Sequence, residues 1–281
     1  MSREVPLIPE RLIRPTRGWM RLDLGELWKY RELFAFLAWR DILVRYKQTY
    51  LGIAWAVLQP VLTVAVLTLV FSRLGKFPSR DVPYAMLVFA GFLPWQLFSN
   101  ALTESSGSLV ASARIISKVY FPRLIIPASA VLSGLVDAAI AAGLLLAALP
   151  FYGLPYRVHL LLLPVFVISA FVTALAAGIW FSALNVQYRD VKYVVPFITR
   201  IGIYITPVAF DWASVVPGEW RIWFSLNPLV GVIDGFRWCL LGPQFEPYWP
   251  GFWTSNAMVL LLLVSGLLYF RRVERSFADN I

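Results

Sequence analysis

The chain has almost none of the residues that build disulfide frameworks or Cys/His metal sites. Its 281 residues include a single cysteine, Cys239, and a single histidine, His159. A disulfide needs two cysteines, and a structural zinc ion usually takes about four Cys or His ligands. The sequence therefore excludes a disulfide framework within the chain, a Cys/His metal centre and haem held by two histidines.

Charged residues are also scarce. They make up 15% of the chain, hydrophobic residues make up 59%, and the mean hydropathy is +0.69. A soluble domain carries roughly 25% charged residues. The net charge of +9 comes from short basic runs between apolar stretches, which are typical of the cytosolic loops of membrane proteins. The composition predicts an integral membrane protein and disfavours nucleic acid as a partner.

Nucleotide-binding and hydrolase motifs are missing as well. The only Gly-Lys pair, Gly75–Lys76, lacks the upstream glycine and the following hydroxyl of a G-x-x-x-x-G-K-[ST] loop. The sequence has no dinucleotide-binding fingerprint, no H-E-x-x-H and no G-x-S-x-G. We therefore expect a chain that is not itself an enzyme, hydrolyses no ATP and binds no cofactor.

Long apolar stretches predict an all-α membrane protein with about six transmembrane helices, since roughly 20 apolar residues cross a hydrocarbon core of about 30 Å. The transmembrane domain covers residues 51–270, with spans over 51–71, 82–103, 124–150, 159–184, 193–210 and 252–270. The two sides of this topology hold 18 and 6 Lys and Arg residues. The positive-inside rule places the side with 18 in the cytosol, together with the N-terminal tail, 1–25, and the C-terminal tail, 271–281.

Residues 26–50 are long enough for a helix but too charged to cross a bilayer. Leu27, Tyr30 and Phe34 share one flank of this helix. The basic residues that we assign to its interface are Lys29, Arg40, Arg45 and Lys47. This pattern predicts an amphipathic interface helix that lies along the cytosolic surface and packs partly on protein.

Residues 211–251, between spans five and six, form an external segment that does not fit a simple hairpin. The segment contains five prolines, and its longer apolar run has 12 residues, which is too few to span a bilayer. Non-helical backbone at membrane depth survives only where protein or a water-filled cavity covers it. We therefore predict re-entrant helices that act as a gate at the outer mouth of a pathway.

The loop between spans two and three, residues 112–123, is short, basic and amphipathic. Arg114 and Lys118 are four residues apart and share a helical face, Ile115 and Val119 share the next face, and Pro122 ends any helix there. A two-turn helix with this pattern is suited to docking in a groove on a soluble partner. The alternative is an ordinary positive-inside loop.

Two ionisable residues lie well inside predicted spans, Asp137 and Arg200. They are either a charge pair or substrate contact, or helpers that bond a neighbouring helix. One acid and one base make a poor proton relay, and no internal repeat is evident, which disfavours a secondary carrier. The four acidic residues of 211–251 are scattered, which disfavours an integral membrane glycosyltransferase or acyltransferase.

Aromatic residues make up 16% of the chain. Their flat apolar rings can stack on the C–H faces of sugars, although the aromatic belt at the two membrane interfaces accounts for most of them. Aromatics deeper in the spans are candidates for lining a pore, and packing within the bundle is the alternative. These candidate pore aromatics are Phe89, Phe92, Trp95, Phe98, Phe197 and Tyr204.

Five motifs, in the same order along the chain, resemble the ABC-2 family of transporter permeases. The likeness is to the membrane subunit of O-antigen and related polysaccharide exporters, and it runs from about residue 25 to the C-terminus. The motifs are Leu51–Pro60, Gly91–Trp95, Lys118–Arg123, Asn185–Asp190 and Asn227–Pro228.

This resemblance implies a half-transporter in the bacterial inner membrane. Two copies of the chain form the pore, and two copies of a separate cytosolic ATPase, which holds ATP and Mg, drive it. The substrate is a lipid-linked, O-antigen-like polysaccharide moved outward from the cytosol. Alternatives within the family are capsule, teichoic acid, a lipid or a drug.

The resemblance also implies roles for particular residues. The interface helix touches the ATPase, and short gate helices lie between spans five and six. The residues of the ATPase-coupling loop are Arg114, Ile115, Lys118, Val119, Tyr120 and Arg123. The residues assigned to the gate are Asn227, Pro228, Asp234 and Arg237.

Overall fold

The computed structural model describes residues 24–47, 52–274 and 277, and every regular element among them is a helix. The all-α prediction is therefore confirmed for this part of the chain. The α-helices are α1 Leu24–Lys29, α2 Arg31–Lys47, α3 Gly52–Thr68, α4 Tyr84–Ala111, α5 Ala113–Ile116, α6 Ile125–Phe151, α7 Leu163–Gln187, α8 Val191–Ile205, α9 Trp212–Val215, α10 Arg221–Phe224, α11 Val230–Leu241 and α12 Trp249–Val273.

Five of the described helices are long and apolar enough to cross a membrane. They correspond to the predicted spans one, two, three, four and six. Helix α3 continues as a π-helix over Leu69–Leu74, and a 3-10 turn over Val158–Leu162 leads into α7. Helix α4 runs to Ala111, well past the predicted end at residue 103.

The predicted fifth span, 193–210, is a shorter helix. Helix α8 has 15 residues, which is about 22 Å at about 1.5 Å per residue and less than the hydrocarbon thickness. It ends at Ile205 because Thr206 precedes Pro207, and a residue before proline is disfavoured in the α region; Thr206 has φ −83° and ψ 143°. The count of six spans stays a prediction.

Helix α8 and the residues that follow it run beside the first half of α4. A methyl group on Gly202 would lie 2.4 Å from the Trp95 ring, so α8 and α4 are in close contact there. The carbonyl oxygen of Ala209 accepts a 2.6 Å hydrogen bond from the hydroxyl of Tyr84, the first residue of α4. The helix and the non-helical residues after it thus reach the N-terminal end of α4 together.

Helix α4 is the centre of the bundle. It packs against α3, α6, α7, α8 and α11. Of the 18 residues in its most apolar stretch, 83% are buried, compared with 17% for α3 and 22% for α12. The outer helices therefore keep apolar faces that only lipid or another protein can cover. The main hydrophobic core surrounds α4.

A second, smaller hydrophobic core lies at the end of the bundle that carries α1, α2, α5 and the end of α12. We call this the basic end, and we call the opposite end, with residues 75–83 and 206–250, the gate end. Leu37 of α2, Ile116 and Phe121 of the loop after α4, and Phe270 and Val273 of α12 pack together there. This core fixes the positions of the interface helix and the loop.

The interface helix is divided into two parts. The chain turns at Tyr30, between α1 and α2, instead of forming one helix over 26–50. Residues 48–50 lie outside the described part of the chain. Leu27, Tyr30, Phe34 and Leu37 face the second core, as their shared flank predicts.

Candidate functional sites at the two ends of the bundle

The loop after α4 presents its polar and apolar side chains to the surface. Helix α5 is one turn long, and turns extend it to Val119, whose N–H donates to the Ile115 carbonyl oxygen at 3.0 Å. In place of the predicted two-turn helix, the loop contains one helical turn followed by non-helical hydrogen-bonded turns. Ile116 and Phe121 anchor the loop in the second core. The predicted coupling residues that the loop exposes are Arg114, Lys118, Val119 and Tyr120.

Two other predicted coupling residues are less accessible. Ile115 is half-buried against the second core. The Arg123 Nη1 donates to the Glu274 carbonyl oxygen at 2.5 Å, and its guanidinium lies 5.8 Å from the centre of the Phe277 ring. Arg123 therefore fastens the loop to the chain after α12, and the surface for a partner is formed by its neighbours.

The interface helix continues this surface. The Tyr30 hydroxyl donates to the Tyr120 carbonyl oxygen at 3.4 Å, so the turn between α1 and α2 touches the loop. Lys29 and Lys47 are exposed, and Arg40 pairs with Asp41 at 2.7 Å. The predicted interface residues Lys29, Arg40 and Lys47 thus lie on the surface of the helix.

Arg45, the fourth interface residue, points into the bundle. Its Nη2 lies 2.6 Å from the buried carboxylate of Asp137 on α6, and the Asn100 side chain of α4 donates to the same carboxylate at 3.1 Å. The Tyr46 hydroxyl also donates to Asp137. Asp137 therefore holds α2, α4 and α6 together, which favours the helper interpretation over a substrate contact.

The environment of Tyr46 keeps it a donor. Burial, together with the hydrogen bond to Asp137, raises the pKa of the Tyr46 hydroxyl above its ordinary value. The phenol stays protonated at neutral pH. Sequence reasoning did not pair α2 with Asp137, because the pairing depends on how the helices pack.

At the gate end, Arg237 of α11 stabilises backbone that belongs to no helix. Its side chain is 1% exposed and donates to the carbonyl oxygens of Pro207 at 2.7 Å, Val208 at 3.0 Å and Phe210 at 3.0 Å. Such carbonyls need protein donors at membrane depth. Burial lowers the pKa of Arg237 to about 10, so the guanidinium remains charged at neutral pH.

Arg80 connects the loop before α4 to the gate segment. Its Nε lies 2.5 Å from Asp211 Oδ2, and its Nη1 donates to the Gln244 carbonyl oxygen at 2.5 Å. Asp211 is buried and also accepts from the Ser214 hydroxyl. Sequence reasoning missed the Arg80–Asp211 pair, since 131 positions separate its members.

Asn227 joins three elements at the start of α11. Its Nδ2 donates to Thr206 Oγ1 at 3.0 Å, and its Oδ1 accepts from the backbone N–H of Leu229 at 3.0 Å. Ser255 of α12 donates to the Asn227 carbonyl oxygen at 3.2 Å. Pro228, which is half-buried, follows directly. The predicted gate residues Asn227 and Pro228 therefore fix how α11 begins.

Asp234, the remaining predicted gate residue, lies on α11 one turn before Arg237. The Trp212 indole N–H donates to its carboxylate at 2.8 Å. Burial raises the pKa of Asp234 to about 7. Among the described residues, no cluster of three or more His, Cys, Asp or Glu side chains is arranged to hold a metal ion.

The candidate pore aromatics divide into two groups. The four on α4 are buried inside the chain because α4 is the central helix, so packing explains their stripe; these are Phe89, Phe92, Trp95 and Phe98. Phe197 and Tyr204 of α8 are 63% and 60% exposed. In this conformation only Phe197 and Tyr204 lie on a surface that could face a pore, and that assignment stays a prediction.

Comparison with known proteins gives the family. Residues 32–241 match the model of the ABC-2 type transporter family. The chain is 28% identical to the O-antigen export system permease protein RfbA of Myxococcus xanthus, over 91% of this chain and 98% of that protein. It is 26% identical to the RfbA protein of Klebsiella pneumoniae, over 92% and 98%. It is 23% identical to the polysialic acid transport protein KpsM of Escherichia coli, over 86% and 93%. The chain belongs to the ABC-2 type transporter family.

Proposed function

We propose that this chain is the transmembrane subunit of an ATP-driven exporter that moves a lipid-linked, O-antigen-like polysaccharide out of the cytosol. The observation that carries the proposal is the similarity to permeases named for O-antigen export, which covers 98% of their length. The multi-pass helical fold agrees with residence in the bacterial inner membrane.

The energy comes from a separate ATPase subunit, which binds ATP and Mg and docks at the basic end of this chain. Arg114, Lys118, Val119 and Tyr120 are exposed there, next to the turn between α1 and α2. This surface combines positive charge with apolar area, and Ile116 and Phe121 hold it rigidly from beneath. A rigid contact can pass a movement of the ATPase to the bundle. In this arrangement both termini lie in the cytosol.

Two copies of the chain and two ATPase subunits form the working unit. The support is the apolar surface left on the outer helices, including Phe197 and Tyr204 of α8 and Trp55 and Val66 of α3. A pore between two copies would place some of these side chains along the path of the glycan. Aromatic rings there would offer weak, repeated contacts to sugar rings.

Deletion of the gene followed by analysis of cell-surface polysaccharide tests the proposal. We expect long-chain polysaccharide to disappear from the surface and lipid-linked polymer to accumulate inside the cell, with recovery on re-expression. Unchanged surface polysaccharide would contradict the proposal.

Export of another polymer is the second candidate function. The similarity to KpsM, whose name refers to polysialic acid transport, favours a polysaccharide, such as capsule, over a lipid or a drug among the alternatives. Composition analysis of the polymer retained by the deletion strain separates O-antigen from capsule.

A further inference from the structure

A cavity of about 300 Å³ lies at the gate end, between α9, α11 and the residues that precede α12. This volume is at the lower limit of ligand pockets, which span about 300–1,000 Å³. Three aromatic side chains contribute to its walls, Trp212, Phe245 and Tyr248. Tyr248 is only half-buried, so its ring is the most accessible of the three.

Two polar side chains that line this cavity, the buried Arg237 and the half-buried Asp234, have bonding capacity left. Arg237 Nε has no hydrogen-bond partner among the described residues, although the side chain is 1% exposed. Asp234 receives one hydrogen bond within the described part of the chain, from the Trp212 indole at 2.8 Å. Buried polar atoms are normally satisfied. Nε itself is shielded from the cavity, whereas the half-buried Asp234 carboxylate offers an acceptor to a ligand that carries hydroxyl groups.

Equal numbers of basic and acidic side chains line the cavity. Arg80, Arg221 and Arg237 line it together with Asp211, Asp234 and Glu246. Arg80 pairs with Asp211 at 2.5 Å, and Arg221 donates to the Ala213 carbonyl oxygen at 2.8 Å. Glu246 accepts from the Trp249 indole at 3.1 Å. An ionic ligand would meet no large excess of opposite charge in either protonation state of Asp234, whereas a neutral ligand with hydroxyl groups would find an acceptor there.

We propose that this cavity binds one neutral pyranose ring. Tyr248 lies against an apolar face of the sugar, and Asp234 accepts a hydrogen bond from one of its hydroxyl groups. The sugar is either a unit of the exported glycan or a free sugar outside the membrane. Its assignment to the exported glycan rests on the proposed function, whereas the binding of a pyranose does not.

Saturation-transfer difference NMR on the full chain in nanodiscs tests the proposal. The probes are the methyl glycosides of D-glucose, D-galactose, D-mannose and L-rhamnose, at millimolar concentration. We expect transfer to at least one glycoside. Tyr248→Ala should reduce the transfer about fivefold, as expected for the loss of an aromatic contact, and Tyr248→Phe should preserve it because the ring remains.

Trp223→Ala is the matched control, since Trp223 is an exposed aromatic of the same segment that does not line the cavity. It should leave the signal unchanged, and a thermal melt of each variant checks that the fold is intact. The absence of transfer to every glycoside in the wild-type chain, or equal transfer in folded Tyr248→Ala, would overturn the proposal.

Export in cells identifies the source of the sugar. If Tyr248→Ala binds glycoside poorly and also slows the appearance of surface polysaccharide, the site serves the exported glycan. If export is normal while binding is lost, the site takes a free sugar. Should gene deletion leave surface polysaccharide intact, the proposed function fails while glycoside binding still stands.

Discussion

Arg237 donates hydrogen bonds to three backbone carbonyl oxygens that lie outside any helix. Replacing it with methionine would keep the apolar stem but leave the carbonyl oxygens of Pro207, Val208 and Phe210 without their donor. Each buried acceptor left unpaired costs about 1–3 kcal/mol. We therefore expect Arg237→Met to destabilise the folded chain by about 3 kcal/mol or more, measured as a lower thermal midpoint in detergent.

Arg200→Met is the control for this substitution, since Arg200 is exposed on α8. Surface substitutions usually change stability by about 0.5 kcal/mol or less. Equal thermal midpoints for Arg237→Met and Arg200→Met would show that the carbonyls of residues 207–210 do not depend on Arg237.

Asp234 gives the gate end a dependence on pH. An unfolded aspartate loses its proton near pH 3.8, whereas burial raises the pKa of folded Asp234 to about 7; the charged groups that act on it are Arg237, Asp211 and Arg80. Between these values the folded state binds the extra proton, so this contribution to stability falls as pH rises. We expect the thermal midpoint to drop between pH 5 and pH 7.

Asp234→Asn tests the origin of this pH dependence because asparagine keeps an acceptor for the Trp212 indole and has no titrating proton. The fall in thermal midpoint over this range should become clearly smaller in this variant. An identical pH profile in the two proteins would assign the effect to another group.

At the level of helices, the gate end depends on close contact between α4 and the residues after α8. A methyl group on Gly91 would lie 2.5 Å from the Val208 carbonyl oxygen and 3.0 Å from Arg237 Nη2. Gly91→Ala should therefore push residues 206–210 away from α4, with loss of export and increased cleavage of this segment in limited proteolysis.

Gly143→Ala in α6 is a matched control, since nothing lies within 4 Å of a methyl group there. Alanine favours helix over glycine by about 0.5–1 kcal/mol, so this variant should export normally and be slightly more stable. Comparable export by the two variants would show that the contact at Gly91 is not needed.

The helices themselves could largely be predicted from the sequence. Five spans are long, nearly uncharged apolar runs, and such runs leave few alternatives in a chain with this composition. The early end of α8 was also predictable from the sequence, because Thr206 precedes Pro207. The prediction extended the helix over this pair because apolar residues continue to Phe210.

The contacts within the sites were much less predictable. Asp137 was recognised as unusual, but its partners Arg45, Tyr46 and Asn100 come from other helices. The same limit explains the aromatic stripe on α4. Its three-residue spacing shows that the rings share a face, whereas only the packing shows that α4 is surrounded on all sides.

The molecule as a whole is a bundle with two different ends. The basic end holds a rigid loop and an interface helix whose exposed side chains are suited to a soluble partner. The gate end holds the Arg80–Asp211 ion pair and the buried Arg237 around non-helical backbone. Asp137 lies between them and joins α2 to α4 and α6. A displacement of the interface helix would therefore be transmitted directly to the central helix, α4.

Docking of an ATPase at the basic end is the central claim about this molecule. The amount of cognate ATPase that co-purifies with the tagged chain tests this directly. The double substitution Arg114→Glu with Lys118→Glu should reduce this amount about tenfold or more. The partner surface that pairs with a basic loop is expected to be acidic, and like charges at an interface cost several kcal/mol. Arg73→Glu with Lys76→Glu, two exposed basic residues near the gate end, should leave this amount unchanged. Undiminished co-purification with the Arg114 and Lys118 variant would contradict the account.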